Sequence, residues 1–392
     1  MILLRHQSLE PLESKRFDLL VIGGGIIGGR VAYEASCAGL SVALVDAGDF
    51  GGATSSASSK LLHGGFRYLA RFRVGLVRQA QRERSLLAAQ VGSHLASPCP
   101  LVVAVPRGYP SGRAKLAAGM GIYDALAGFR SPRPRLIGRE EALSLVPSLD
   151  VAEVGALGLI QELQTHDARL TLATIEAAVS AGATVANYVK VSALQNSAAV
   201  AEDAFGRGVT TVRFRAVVNA AGPWLDDVRR LDNPSARPIA TLSKGVQAMV
   251  VLPEGWRAGL AVFDEHRSVF AIPWQGMLLL GVTDEVFEGD PSRALPTKES
   301  IRGLRSTLAP FLAAELLADE RVLSVSAGVR VLPRGRGATR DAPREQVIET
   351  SPSGMVSVGG GKLTTHRLIA LEALKRLPAG VRLRRSACSL RA

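Results

Sequence analysis

The stretch Asp18–Asp46, DLLVIGGGIIGGRVAYEASCAGLSVALVD, decides the fold. Asp18 to Ile22 is a short apolar run that reads as a strand buried on both faces, as in parallel sheets. It ends in Gly23-Gly24-Gly25. Ile26 to Ala38 reads as a helix with small residues at Gly28, Gly29 and Ala32, and Ser41 to Val45 as a second strand closed by Asp46. Together they make a βαβ unit. Gly23, Gly25 and Gly28 spell G-x-G-x-x-G at its turn. The first glycine permits the tight turn, the second lets backbone approach a diphosphate, and the third packs helix on strand. The helix start adds N–H groups and a positive dipole end. Asp46, 23 residues after Gly23, is placed to accept hydrogen bonds from a ribose hydroxyl pair. A carboxylate there repels a 2′-phosphate, so the site reads as one for FAD or NAD rather than NADP.

Working outward, two later segments end strands in small residues: Ala216 to Gly222 (AVVNAAG) and Val356 to Lys362 (VSVGGGK). A chain that returns twice to a long dinucleotide suits FAD. Val209 to Phe214 and Ala216 to Asn219 read as two strands, Asp167 to Ala181 as a helix, and Lys362 to Leu377 as a closing helix. From Gly245 to Thr283 several strand-like runs (VQAMVVL, SVFAIPW, MLLLGVT) follow one another without helices. That pattern predicts an antiparallel sheet in a second, inserted domain. The expected fold class is therefore α/β: a Rossmann-like, glutathione-reductase-like parallel sheet for FAD, with an inserted, mostly antiparallel β substrate domain.

Composition narrows the partners. The 392 residues carry a formal net charge of +12, which favours anionic partners such as a phosphorylated substrate or an anionic bilayer. Arginine accounts for 39 of the 47 basic residues, a ratio that general compositional bias also explains. Aromatic residues are only 5% and are not interleaved with the basic ones, so no nucleic-acid partner is expected. Three cysteines (Cys37, Cys99, Cys388) and no C-x-x-C make neither a disulfide framework nor a zinc site, which fits a reducing cytosol and no metal. The opening MILLRHQSLEPLESKR has too short an apolar run for a signal peptide, and no segment reads as a spanning helix.

The run Ala53 to Leu69, ATSSASSKLLHGGFRYL, resembles the FAD-dependent glycerol-3-phosphate dehydrogenases. So do VVNAAGPW (Val217 to Trp224), FAIPW...GVTD (Phe270 to Asp284), SAGVRVL (Ser326 to Leu332) and GGGKLTTHR (Gly359 to Arg367), in the family's order across about residues 18 to 377. The resemblance implies oxidation of sn-glycerol 3-phosphate to dihydroxyacetone phosphate with electrons passed from FAD to a quinone. It also implies a cytoplasmic protein peripheral on an anionic inner membrane face, and a homodimer. The implied division is 14–83, 155–240 and 322–379 for the FAD domain, 84–154 and 241–321 for the substrate domain, and a basic tail at 380–392.

Carried over by position, Gly23, Gly25, Gly28, Asp46 and Val189 would hold the ADP half of FAD. Thr54, Ser55, Ser58, Lys60, Leu62 and His63 would run beside the diphosphate and flavin. Ala221, Gly222, Gly361, Lys362, Leu363 and Thr364 would complete the cofactor site. Arg67, Tyr68, Arg330, Arg344 and Lys362 would surround the substrate, with Arg330, Lys362, Gln247 and His63 in the catalytic role. Arginine binds a phosphate dianion bidentately, and a cation near the flavin stabilises its reduced anion.

The sequence departs from the family at five places. Gln247 stands where a histidine is usual, and glutamine is no base near neutral pH; His63 and His366, the latter in place of a tyrosine, are the other imidazoles in matched blocks. Ile27 replaces an asparagine. The Arg-Pro-Gly-rich stretch after Pro106 matches poorly. The helical C-terminal domain of typical members has no counterpart here. Two alternatives stay open: an amino-acid-oxidase-like FAD oxidoreductase with another substrate or oxygen as acceptor, and a flavin-binding protein without turnover.

Overall fold

The computed structural model describes residues 5–109, 111–129, 132–206, 208–263, 268–335 and 346–381. Two sheets carry them. The first has the strand order Gln346–Thr350, Val356–Gly360, Val209–Asn219, Arg16–Ile22, Val42–Val45, Thr184–Ala186. All neighbours are parallel except the edge strand Gln346–Thr350, and a hairpin, Val189–Gln195 with Ala198–Asp203, extends from Val209–Asn219.

The apolar run at Asp18–Ile22 is buried on both faces because it sits mid-sheet. Leu19 and Val21 pack with Val31, Ala35, Ile175 and Ile369 from the helices Ile26–Cys37, Asp167–Ser180 and His366–Lys375. Leu20 and Ile22 join Leu9 and Leu12 of the helix Arg5–Ser14 on the opposite face. Side chains alternate across a strand, so one run serves two cores. The small residues of the Ile26–Cys37 helix admit its neighbour closely: a Cβ on Gly29 would fall 2.9 Å from Ile175 Cγ1.

The second sheet has ten strands. Ala240–Val251, 12 residues long, is its spine, with Met277–Gly281 and Glu285–Val286 on one side and Val322–Pro333 on the other. Beyond Met277–Gly281 follow Ser268–Trp274, Gly259–Phe263, Ser97–Pro106, Val154–Gln164 and the two-residue strand Leu61–Leu62. Its pairs are antiparallel apart from Gly259–Phe263 beside Ser97–Pro106.

The structure differs from the local sequence signals in two respects. The two strands read at 209–214 and 216–219 are one, Val209–Asn219: its first half pairs with the hairpin and its second half with the parallel core. The Pro- and Gly-rich stretch after Pro106 contains the helix Gly112–Leu126, whose Leu116, Met120 and Tyr123 are buried on one face. Among the described residues no helix is long and apolar enough to cross a membrane, and no cluster of His, Cys, Asp and Glu could hold a metal ion.

Candidate active site

The glycine loop is a cradle that side chains would fill. Gly23 has φ +108°, a conformation costly for any residue with a Cβ, and a Cβ there would meet the Ala220 carbonyl oxygen at 2.4 Å. A Cβ on Gly28 would lie 1.8 Å from the Gly23 carbonyl oxygen, and one on Gly25 3.1 Å from Ser55 Oγ. The Ala220–Gly222 turn, where Val209–Asn219 ends, therefore abuts the first glycine directly. Ser55 Oγ accepts from the Ile26 N–H at 2.9 Å, at the start of the helix Ile26–Cys37, whose free N–H groups and positive dipole end suit an anion.

Asp46 ends the second strand, as read from sequence. Its Oδ2 accepts from the Gly24 N–H at 2.6 Å and its Oδ1 from the Gly48 N–H at 2.8 Å. Burial raises its pKa, and these two donors pull it back. A carboxylate has room for further donors, so ribose hydroxyls can still be received. Val189 is buried, and its N–H donates to the Asp46 carbonyl at 2.7 Å; its place is behind the acid. The donor set, the helix start and the space kept clear by glycine fit the ADP half of FAD.

The serine-rich loop is pinned from two sides, by Val329 and by Asp167. Thr54 Oγ1 donates to the Val329 carbonyl at 2.6 Å. Ser58 gives its N–H at 3.0 Å and its Oγ–H at 2.7 Å to Asp167 Oδ2. Lys60 Nζ bonds Asp167 Oδ1 and Oδ2 at 2.8 and 2.9 Å and the Ser56 carbonyl at 2.6 Å. Asp167, in the first turn of the Asp167–Ser180 helix, is fully buried. Sequence reasoning assigned Ser58 and Lys60 but missed the carboxylate that holds them. Its signal is the acid that opens a predicted helix, DARL, after a strand. Leu62 is packed with Ile26, Leu87 and Leu170 and contributes position rather than a polar contact.

Residues about 300 positions apart then meet. Thr364 Oγ1 donates to the His63 carbonyl at 3.1 Å. Lys362 Nζ lies 3.7 Å from the Tyr68 ring centroid, Arg67 Cζ lies 5.7 Å from it, and the His63 and Tyr68 rings stack at 6.4 Å. Gly361, φ +75°, makes the turn that brings Lys362 in; a Cβ there would strike Ile369 Cδ1 at 2.3 Å. The His63–Gly64 loop is anchored beneath by buried Glu162. Its carboxylate accepts from the Gly64 N–H at 3.0 Å, from Arg84 Nη1 at 2.6 Å, and from the Tyr123 hydroxyl. Burial and the Glu162 charge push the Tyr123 phenol well up, so it stays a donor. Glu162 was also missed; a lone acid in an apolar strand signals a buried partner.

The second sheet supplies the remaining cation. Ser243 and Arg330 face each other across adjacent strands, as do Gly245 with Gly328 and Gln247 with Ser326. Arg330 Nη2 donates to the Thr283 carbonyl at 3.1 Å and Nη1 to Ser243 Oγ at 3.3 Å, while Ser243 Oγ donates to Asp284 Oδ1 at 2.6 Å. The guanidinium lies over Gly245, where a Cβ would fall 2.0 Å from Nη2. The first sheet meets this one at Gly359 against Val331, and the serine-rich loop meets it at Ala57 against Gly328. Arg344 lies outside the described residues.

His366 is no part of this arrangement. It is buried inside the FAD domain, its Nδ1 donates to the Leu363 carbonyl at 2.7 Å, and burial with the nearby Arg30 charge lowers its pKa to about 3. Leu363 thus serves as the acceptor that orients it, at the N-terminus of the closing helix.

Comparison with known proteins identifies the family. Residues 18–371 match the family model described as DAO, FAD dependent oxidoreductase, so the class of protein defined here is a flavoenzyme with FAD as cofactor. The aerobic glycerol-3-phosphate dehydrogenase of Staphylococcus aureus (strain USA300) is 33% identical over 379 residues, 93% of this chain and 68% of that protein. Within the FAD-dependent oxidoreductases, the chain belongs to the glycerol-3-phosphate dehydrogenase family. The FAD-complexed glycerol-3-phosphate dehydrogenase of Bacillus halodurans superposes with a TM-score of 0.76 at 29% identity, covering 96% of this chain and 67% of that one. Glycine oxidase from Geobacillus kaustophilus shares the fold, with a TM-score of 0.69 at 20% identity over 97% of this chain and 100% of its own.

Proposed function

We propose that this protein oxidises sn-glycerol 3-phosphate to dihydroxyacetone phosphate and delivers the electrons to a quinone. The observation that carries the reading is a pair of cations, one on the second sheet and one on the turn that follows the strand Val356–Gly360. Arg330 is held over Gly245 by Ser243 and Thr283, and Lys362 is brought by the Gly361 turn against Tyr68. A small phosphorylated alcohol offers two phosphate charges and a hydroxyl to such a pair. Arg330, Arg67 and Arg344 receive the phosphate, as planar donor forks suit its oxygens. Tyr68 and Lys362 bound the carbon chain and keep positive charge beside the flavin.

FAD, when bound, supplies the two-electron acceptor for the carbinol hydride. The chain's own task is to orient the alcohol and receive the hydroxyl proton. His63, whose ring lies 6.4 Å from that of Tyr68, is the imidazole we assign to take it. The excess of basic residues draws the protein to an anionic membrane face, where a quinone is met, and a homodimer is the expected assembly.

Anaerobic mixing tests the reading. Sn-glycerol 3-phosphate bleaches the bound flavin, while glycerol and glycine do not; bleaching by glycine alone overturns it. Reoxidation by a soluble quinone faster than by air supports the acceptor, and rapid peroxide formation in air refutes it.

A further inference from the structure

We infer that Gln247 is a positioning residue that ties the serine-rich FAD loop to the substrate sheet and presents a non-titrating acceptor to the substrate hydroxyl. Gln247 is 6% exposed. Its Nε2 donates to the Ala57 carbonyl at 3.4 Å and the Ser58 carbonyl at 3.2 Å. Both partners are carbonyls, which only accept, so the amide edge facing the loop is the NH2 edge. Oε1 is on the other edge, and among the described residues no protein group donates to it. Ser243, Gly245 and Gln247 alternate onto one face of their strand, opposite Arg330, Gly328 and Ser326. Oε1 therefore shares a face with the Arg330 guanidinium.

The loop so held is gripped elsewhere as well. Asp167 takes Ser58 N–H and Oγ–H from the FAD side, and Val329 takes Thr54 from the substrate sheet. Between those points Ser55 Oγ meets the Ile26 N–H at the diphosphate end of the helix. A change at Gln247, in the substrate sheet, is thereby transmitted to the grip on FAD. A glutamine amide has no ionisation near neutral pH, so it orients the hydroxyl and leaves the proton to another group. The substrate part rests on the function proposed above; the cofactor part does not.

The test uses the full chain, stripped of FAD and titrated with FAD by fluorescence quenching, then reloaded and reduced anaerobically with sn-glycerol 3-phosphate from pH 5.5 to 9. In Gln247→Ala two neutral hydrogen bonds are lost, and FAD affinity falls about tenfold. KM rises more than the limiting reduction rate falls, and the shape of the pH–rate profile is that of the parent. Gln247→Glu keeps the size but sets a carboxylate against two carbonyls: FAD binds weakly at pH 8 and regains affinity on acidification, when the acid can donate. Parent-like FAD affinity in both variants overturns the tie. An ionisation present in the parent and lost in Gln247→Ala overturns the non-titrating role. If the parent flavin is not reduced by sn-glycerol 3-phosphate at all, the proposed function fails while the FAD titrations still decide the tie.

Discussion

Substituting Gly245 by alanine probes the proposed phosphate site without altering a single charge. The new methyl would start 2.0 Å from Arg330 Nη2 and 2.6 Å from Cζ. The backbone is paired across Gly328 in a regular antiparallel strand, whereas the guanidinium is the far end of a flexible side chain. The side chain therefore moves, breaking its bonds to Thr283 and Ser243. A charge-assisted hydrogen bond contributes about 1.5–3 kcal/mol. Losing one such bond to the substrate phosphate raises KM about 10- to 150-fold. FAD binding is expected to survive, because the glycine loop and Asp46 lie on the other sheet. The assay is anaerobic stopped-flow bleaching of the flavin across a range of sn-glycerol 3-phosphate, with the flavin spectrum as control. A KM within about twofold of the parent, with FAD retained, would refute the assignment of Arg330 to the phosphate.

Other consequences are equally direct. In Gly28→Ala the Cβ falls 1.8 Å from the Gly23 carbonyl oxygen; backbone cannot yield there, so a purified variant should be colourless, and a yellow one refutes the cradle. Asp167→Asn leaves the Lys60 ammonium buried without its counter-charge, which costs about 3–5 kcal/mol and should lower both the thermal midpoint and FAD affinity; parent-like values of both count against the clamp. His366 takes a proton near pH 6.5 when unfolded but only near pH 3 when folded. Between those values the unfolded chain binds more protons, so stability is full above about pH 6.5 and falls with acid by up to about 1.4 kcal/mol per pH unit. Chemical denaturation at pH 7 and pH 5 should show a loss that shrinks in His366→Gln; an equal loss in that variant refutes the buried neutral imidazole.

Much of the FAD half was legible in advance because its information is local. A strand, three spaced glycines, a helix and an acid within 29 residues leave one arrangement in which small residues, dipole and carboxylate all have work. Asp46, Gly23 and Gly28 stand where spacing put them. The groups that hold the loops did not announce themselves. Asp167 and Glu162 are single acids whose partners, Lys60 and Gly64, are 107 and 98 residues away, and sequence spacing says nothing about such pairs.

The sequence alone determined the βαβ unit and its glycine turn, since backbone sterics and alternation act between neighbours, while the preference for a flavin nucleotide came from the two later strand ends and the family resemblance. Only the tertiary structure decided that Lys362 stacks on Tyr68, that Arg330 lies over Gly245, that Gln247 holds the serine-rich loop and that His366 is sealed away. Those outcomes depend on which strands pair and how two sheets abut, and strand register couples residues that the chain itself keeps far apart.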